Sequence, residues 1–214
     1  MQLVKRSYSN FMHVCARLGP LEKLIHEARD RDPYRWHRWA ASLLAIHDVK
    51  RMVALDLPWW NVRATRAVEA FLAGRAKARV FEYGAGASTA WLARRAASVT
   101  SVEHHAEWQK LISPIIERLG NAQLWGRELA GDAYIGAIDE AGGEFDLIVI
   151  DGRRRVECLA RALPHLRKDG LVLFDDSGRR RYRAAIRNCG LTEERHFGRS
   201  YCVPYPDFTS ILHA

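Results

Sequence analysis

The chain has 214 residues, 48% of them hydrophobic and 27% charged, a balance that fits a globular domain and excludes a disordered one. No apolar run approaches the roughly 20 residues of a membrane span, and the four cysteines show no paired spacing, so neither a zinc site nor a disulfide framework is indicated. The formal net charge of +8 is uneven: residues 1–80 hold 15 Lys/Arg against 7 Asp/Glu, and the remainder balances.

Leu3, Val4, Tyr8, Phe11, Met12, Cys15 and Leu18 recur at helical spacing, and Gly19-Pro20 stops the run. Leu21, Leu24, Ile25 and Ala28 predict a second helix, ending before Asp32-Pro33. Trp36, Trp39, Ala40, Leu43, Leu44 and His47 predict a third. Residues 1–57 therefore read as a basic helical extension, whose apolar stripe packs on a neighbouring domain or, as a basic amphipathic face, meets a membrane surface. His13, His26, His37 and His47 are scattered and read as surface or packing residues. No signal-peptide pattern opens the chain, and the expected location is the reduced cytoplasm.

Leu57-Pro58-Trp59-Trp60 marks a boundary, after which residues 58–214 read as a second unit. Adjacent tryptophans on an irregular segment are costly to expose. Either they plug the core, the preferred reading, or one lines the mouth of a ligand site. A helix over Thr65–Ala73 follows, closed by Gly74.

Arg79-Val80-Phe81-Glu82-Tyr83-Gly84-Ala85-Gly86-Ala87-Ser88-Thr89 reads as strand, tight turn and helix. The glycines allow positive φ and close approach of a ligand to the backbone, and Ser88 or Thr89 can cap the helix. The dinucleotide fingerprint would need a third small residue where Thr89 stands, and Glu82 would repel a pyrophosphate. A cationic cofactor without phosphate fits better. Val99-Thr100-Ser101-Val102-Glu103 is a second strand ending in a carboxylate, the usual placement of the group that holds two ribose hydroxyls. The pair points to S-adenosylmethionine.

A helix over Ala106–Leu119 and a weak third strand over Ala122–Trp125 come next. Phe145-Asp146-Leu147-Ile148-Val149-Ile150-Asp151 is a strand buried on both faces, as a parallel sheet requires. A crossover helix over Cys158–Leu166, a fifth strand over Gly170–Phe174 and a helix over Tyr182–Asn188 follow. Leu191–Phe197 and Phe208–Leu212 make a closing antiparallel pair. The alternation predicts a doubly wound, Rossmann-like α/β sheet.

The glycine turn with Ser101-Val102-Glu103 resembles the first two motifs of class I S-adenosylmethionine-dependent methyltransferases. Phe145–Gly152 and Gly170–Asp176 resemble their fourth and fifth strands. The resemblance covers roughly residues 60–214 and implies a seven-stranded sheet, mostly parallel with an antiparallel last strand. It implies that Glu82, Gly84 and Gly86 hold the methionine end of the cofactor and Glu103 the ribose, with Ser88, Asp132 and Asp151 completing the cofactor set. The match for Asp132 near the adenine is loose, and a helix N-cap serves equally well.

Asp151, Asp175 and Asp176 resemble the acidic positions of metal-dependent O-methyltransferases, so they stand as candidate Mg²⁺ ligands, with Asp151 or Asp175 as base when no metal is held. Gly152-Arg153-Arg154-Arg155 departs from that pattern, and its arginines can instead neutralise the carboxylates by ion pairing. Both readings stay open. Arg153 and Arg179 head two arginine runs at strand ends and are candidate contacts for an anionic, saccharide-like or other small acceptor. RNA is a further anionic candidate, but no base-stacking motif of the RRM kind is present; and the Asn/Asp-Pro-Pro-aromatic run that related N-methyltransferases carry after the fourth strand is replaced by Asp151-Gly152-Arg153-Arg154, which argues against amino-group methylation of a base. An aminopropyl transferase, a nicotinamide-dependent dehydrogenase and a non-catalytic cofactor-binding scaffold are the rivals.

Overall fold

The computed structural model of the chain describes residues 10–16 and 18–214. The helical positions expected at Leu3, Val4 and Tyr8 lie outside those residues. Among the described residues, strands β1 (Arg79–Tyr83), β2 (Ser98–Glu103), β3 (Ala122–Gly126), β4 (Phe145–Ile150), β5 (Leu166–Phe174), β6 (Thr192–Arg199) and β7 (Pro206–His213) form one sheet. Its order is β3-β2-β1-β4-β5-β7-β6. Strands β1 to β5 run parallel, and β7 is antiparallel to both β5 and β6.

The strand that fixes this arrangement is β4. All six of its residues are buried; from Leu147 to Ile150 they alternate between two cores because successive side chains leave opposite faces of a strand, and a register shift between Phe145 and Leu147 puts Phe145 in the same core as Ile148. Phe145, Ile148 and Ile150 pack with Phe81, Tyr83 and Phe174 on one face, and Leu147 and Val149 with Val80, Trp91 and Leu173 on the other. Strand order reverses between β1 and β4, whose register runs from Val80–Leu147 to Tyr83–Ile150. Open sheets bind their ligands in the crevice at such a reversal, outside the carboxyl ends of the strands.

The helices in chain order are α1 (residues 10–15), α2 (Gly19–Arg29), α3 (Trp36–Leu43), α4 (Val49–Ala54), α5 (Val62–Ala73), α6 (Ala87–Ala93), α7 (Ala106–Ile116), α8 (Ala137–Ala141), α9 (Arg155–Ala162) and α10 (Arg180–Asn188). Gly19-Pro20 opens α2 as well as closing the run before it, since proline suits the first helical turn, where its missing N–H costs nothing. Helix α4 had no periodic signature; it is short and starts where Asp48 accepts the Arg51 N–H (3.0 Å).

The segment before residue 58 shares a core with the sheet domain. Ala28, Ala41, Met52, Leu55 and Leu57 form one cluster with Ile112, Ile116 and Tyr201. Met12 and Cys15 of the first stripe join it, as does Ala16, whereas Phe11 and Leu18 of that stripe are exposed. Arg38, buried at the centre, donates to the carbonyls of Ala28 (2.6 Å), Arg29 (2.9 Å), Arg31 (2.9 Å) and Leu55, tying α2, α3 and the end of α4 together. Among the described residues no helix is long and apolar enough to cross a membrane.

Candidate active site

Strand β1 ends in a built turn. Gly84 has φ +98°, and a Cβ there would lie 2.6 Å from Gly152 N, so the loops after β1 and β4 touch backbone to backbone. Gly152 needs its hydrogen for the same reason, because a Cβ would overlap the Tyr134 hydroxyl. Thr89, which stands where a dinucleotide site would need a small residue, accepts the Gly86 N–H (3.1 Å) and donates to Glu82 Oε2 (2.6 Å). Ser101 on β2 donates to the same oxygen (2.5 Å). Glu82 is fully buried at the base of the turn, its carboxyl is pushed up to about 7 by desolvation, and Oε1 has no hydrogen-bond partner. A buried carboxylate with one orphaned oxygen is matched by a cation.

Over this turn lies a cavity of about 840 Å³, at the carboxyl ends of β1, β2, β4 and β5. That volume falls within the range of small-molecule sites, roughly 300–1,000 Å³. Gly84, Gly86 and Ser88 form its floor after β1, and Glu103 its wall after β2. Glu103 Oε1 accepts the N–H groups of both His104 and His105 (2.8 Å each), which fixes the carboxylate at the cavity edge. Burial lowers the His104 imidazole below its ordinary range against the pull of Glu103. Trp108 on α7 donates to Ala85 O (2.8 Å) and closes the turn from the side.

The carboxylates after β4 and β5 belong to an arginine. Arg155, the first residue of α9 and nearly buried, donates to Asp151 Oδ1 (2.8 Å), Asp151 O (2.6 Å), Gly152 O (3.0 Å) and Asp175 O, and pairs with Asp176 Oδ2 (3.1 Å). It faces inward because Arg154 takes a left-handed turn (φ +50°) just before the helix begins. The guanidinium thus sits between Asp151 and Asp176, and among the described residues no group of His, Cys, Asp and Glu is arranged to hold a metal. The expected Mg²⁺ site of Asp151, Asp175 and Asp176 does not assemble: Arg155 pairs with Asp151 and Asp176, and the Asp175 carboxylate turns away to Thr209.

Asp151 lines the cavity, its second oxygen taking the Trp60 Nε1–H (3.2 Å). Desolvation pushes its carboxyl up to about 7, against the lowering pull of Arg155. Asp175 is placed differently from the expectation. It is absent from the cavity wall and accepts Thr209 Oγ1–H from β7 (2.5 Å); Asp176 is the β5-end carboxylate that reaches the cavity. Burial and the Asp151 charge raise Asp175 well above the carboxylate range. Asp132 is exposed and outside the cavity, its carbonyl taken by Gly136 N–H (2.7 Å).

Arg153 and Arg179 both line the cavity, as do Arg154 and Arg181. Arg154 pairs with Glu157, and Arg179 with Asp176 (2.7 Å). Among the described residues, Arg153 and Arg181 pair with no carboxylate. Three lining residues come from the amino-terminal side, His47, Pro58 and Trp59. No local spacing in the sequence marks His47, which reads as a packing residue there. The double tryptophan is resolved in both senses at once: Trp60 is fully buried on Trp91, and Trp59 lines the cavity.

Residues 81–177 match the family model described as a methyltransferase domain. The fold is that of S-adenosylmethionine-dependent methyltransferases, shared with a precorrin-6y C5,15-methyltransferase from Geobacter metallireducens at 12% identity and TM-score 0.54, covering 71% of this chain and 88% of that one. A putative methyltransferase from Streptococcus mutans in complex with S-adenosylhomocysteine aligns at 14% identity and TM-score 0.51, covering 70% and 97%. A putative caffeoyl-CoA O-methyltransferase from Staphylococcus aureus aligns at 14% identity and TM-score 0.51, covering 71% and 83%. No curated protein matches the chain in sequence. Gly84, Gly86, Ser88 and Glu103 line the cavity, while Glu82 lies beneath the turn, fully buried and outside the cavity wall.

Proposed function

We propose that the chain transfers a methyl group to a hydroxyl of a small anionic acceptor, without a metal and with Asp151 as general base. When bound, S-adenosylmethionine supplies an electrophilic methyl group on a positively charged sulfur. Glu82, the Gly84–Ser88 turn and Glu103 would hold it, and the remaining chemistry falls to the cavity wall. A neutral hydroxyl is a poor nucleophile and needs help to lose its proton. The observation that carries the reading is the Asp151 carboxylate: it lines the cavity, is oriented by Arg155 on one oxygen and Trp60 on the other, and is pushed up to about 7 by desolvation, toward the range of a general base. Each oxygen keeps a second lone pair for the acceptor proton. Arg153 and Arg181, which pair with no carboxylate, supply guanidinium groups for an acceptor carboxylate or phosphate, Arg181 while also donating to the Tyr182 hydroxyl (2.8 Å).

The test starts with calorimetric titration of S-adenosylhomocysteine into wild type and Glu103→Ala. Micromolar binding, lost in the variant, supports the cofactor pocket. Methyl transfer to anionic hydroxyl compounds is then assayed with EDTA or with Mg²⁺, and activity unchanged by EDTA is the expected result. Loss of activity in EDTA that Mg²⁺ restores would overturn the metal-free reading.

A further inference from the structure

Trp59 and His47 lie outside the matched domain and hold none of the groups assigned above, yet both line the cavity. Their backbones are unusual. His47 has φ +58° and Trp59 φ +64°, values that bulky residues adopt only when their surroundings impose them. The two rings meet edge to face at 4.9 Å. The next residue, Trp60, is fully buried and holds Asp151 Oδ2, and its carbonyl accepts the Tyr201 N–H (3.0 Å). Asn61 then bridges to Ser200 and caps α5. The segment is pinned on both sides while the Trp59 ring is left half-buried at the cavity.

From this we infer that Trp59, braced by His47, is the platform for the ring of the acceptor, and that the acceptor is a hydroxylated six-membered ring carrying a carboxylate. The inference rests on the methyltransferase reading and names the substrate class of that site. An indole face takes either a flat arene or the C–H face of a pyranose, while Arg153 and Arg181, neither paired with a carboxylate, take the anion. Trp59 and Trp60 share one pinned segment, so a ring seated on the first is held at a fixed place relative to the carboxylate fixed by the second. Trp59 is thus a specificity-determining residue supplied by the segment ahead of the domain. The two ring types share this chemistry, and the assay separates them.

The experiment titrates protein saturated with S-adenosylhomocysteine with glucuronate and with 4-hydroxybenzoate, using acetate (an anion without a ring) and glucose (a ring without charge) as controls. One ring carboxylate should bind at least about tenfold more tightly than either control, a difference of roughly 1.4 kcal/mol. The better probe identifies the ring as pyranose or arene. Trp59→Ala should weaken that probe by about tenfold, Trp59→Phe should restore most of it, and S-adenosylhomocysteine affinity should not change in either variant. Arg153→Gln combined with Arg181→Gln should weaken the probe similarly. No ring preference in the wild type, or Trp59→Ala without effect on the probe, overturns the platform while intact S-adenosylhomocysteine binding leaves the methyltransferase reading standing. Loss of S-adenosylhomocysteine binding in Trp59→Ala overturns it too, by assigning the indole to the cofactor. If the wild type binds no S-adenosylhomocysteine, both readings fall together.

Discussion

Two carboxyl groups near 7 do different work because their surroundings differ. Asp151 faces the cavity and is held by Arg155 and Trp60; a base must be ionised to accept a proton, so kcat/KM should rise with pH through about 7 and level above it. Asp151→Asn should keep S-adenosylhomocysteine affinity and lose roughly 10²- to 10⁴-fold in kcat, the usual contribution of a positioned base. Glu82 faces no solvent, and desolvation raises its carboxyl from 4.5 to about 7. Between those values the folded protein holds a proton the unfolded chain has released, so stability from Glu82 is full below 4.5 and is lost as pH rises through 7. Asp151 and Asp175 push the same way. Melting temperature without ligand should therefore fall between pH 5 and 8, and Glu82→Gln should flatten that slope. An ammonium above Glu82 favours its ionised form, so S-adenosylhomocysteine affinity in the wild type should increase with pH over the same window. An affinity independent of pH would remove Glu82 from the cofactor site.

Turn and strand ends explain what was legible in the sequence. The β1 turn, the buried β4 run and Glu103 at the end of β2 declare themselves locally, by glycine spacing and by unbroken apolar residues. Arg155 does not. Three consecutive arginines look alike as letters, and only the left-handed turn at Arg154 sends the third into the carboxylates while the first stays at the cavity. His47 carries no local signal either: its place at the cavity comes with its ring contact to Trp59. The glycines allow a sharp test of local design. Gly152→Ala would drive its methyl into the Tyr134 hydroxyl and to 3.0 Å from Gly84 N. Overpacking of this kind costs about 1–3 kcal/mol, which for a chain of this size is a melting loss of roughly 2–4 °C per kcal/mol. Gly86→Ala meets protein only at 3.9 Å, on Ser88 and Trp108. That variant should melt like the wild type and bind S-adenosylhomocysteine poorly, because its methyl fills cofactor space. Thermal melts beside calorimetry distinguish the two outcomes, and a Gly86→Ala protein with full affinity would contradict the floor assigned to the turn.

At the scale of the molecule, the sheet carries the cofactor groups and the segment ahead of it carries one wall of the cavity, so the two can be uncoupled. Arg38 is the point at which to do it. Its guanidinium is buried and satisfies four carbonyls from α2, the α2–α3 connection and the end of α4, and α4 leads directly to Pro58 and Trp59. Removing a donor leaves buried carbonyls unpaired, at about 1–3 kcal/mol for each group that water cannot reach. Arg38→Met keeps much of the side-chain volume and none of the donors. It should lower the melting temperature by several degrees, roughly 2–4 °C for each kcal/mol lost, and it should loosen the helices ahead of residue 58 before the sheet. Glu82 and Glu103 sit on β1 and β2, and Gly84 and Gly86 in the turn after β1; the pairing of these strands with β4 and β3 is independent of Arg38. S-adenosylhomocysteine affinity should therefore survive at temperatures below the melt, while KM for the acceptor rises and hydrogen exchange accelerates over residues 36–57. If instead cofactor affinity falls in step with acceptor binding, the two walls are one cooperative unit, and the shared core of Leu55, Leu57, Ile112 and Tyr201 outweighs the division of labour.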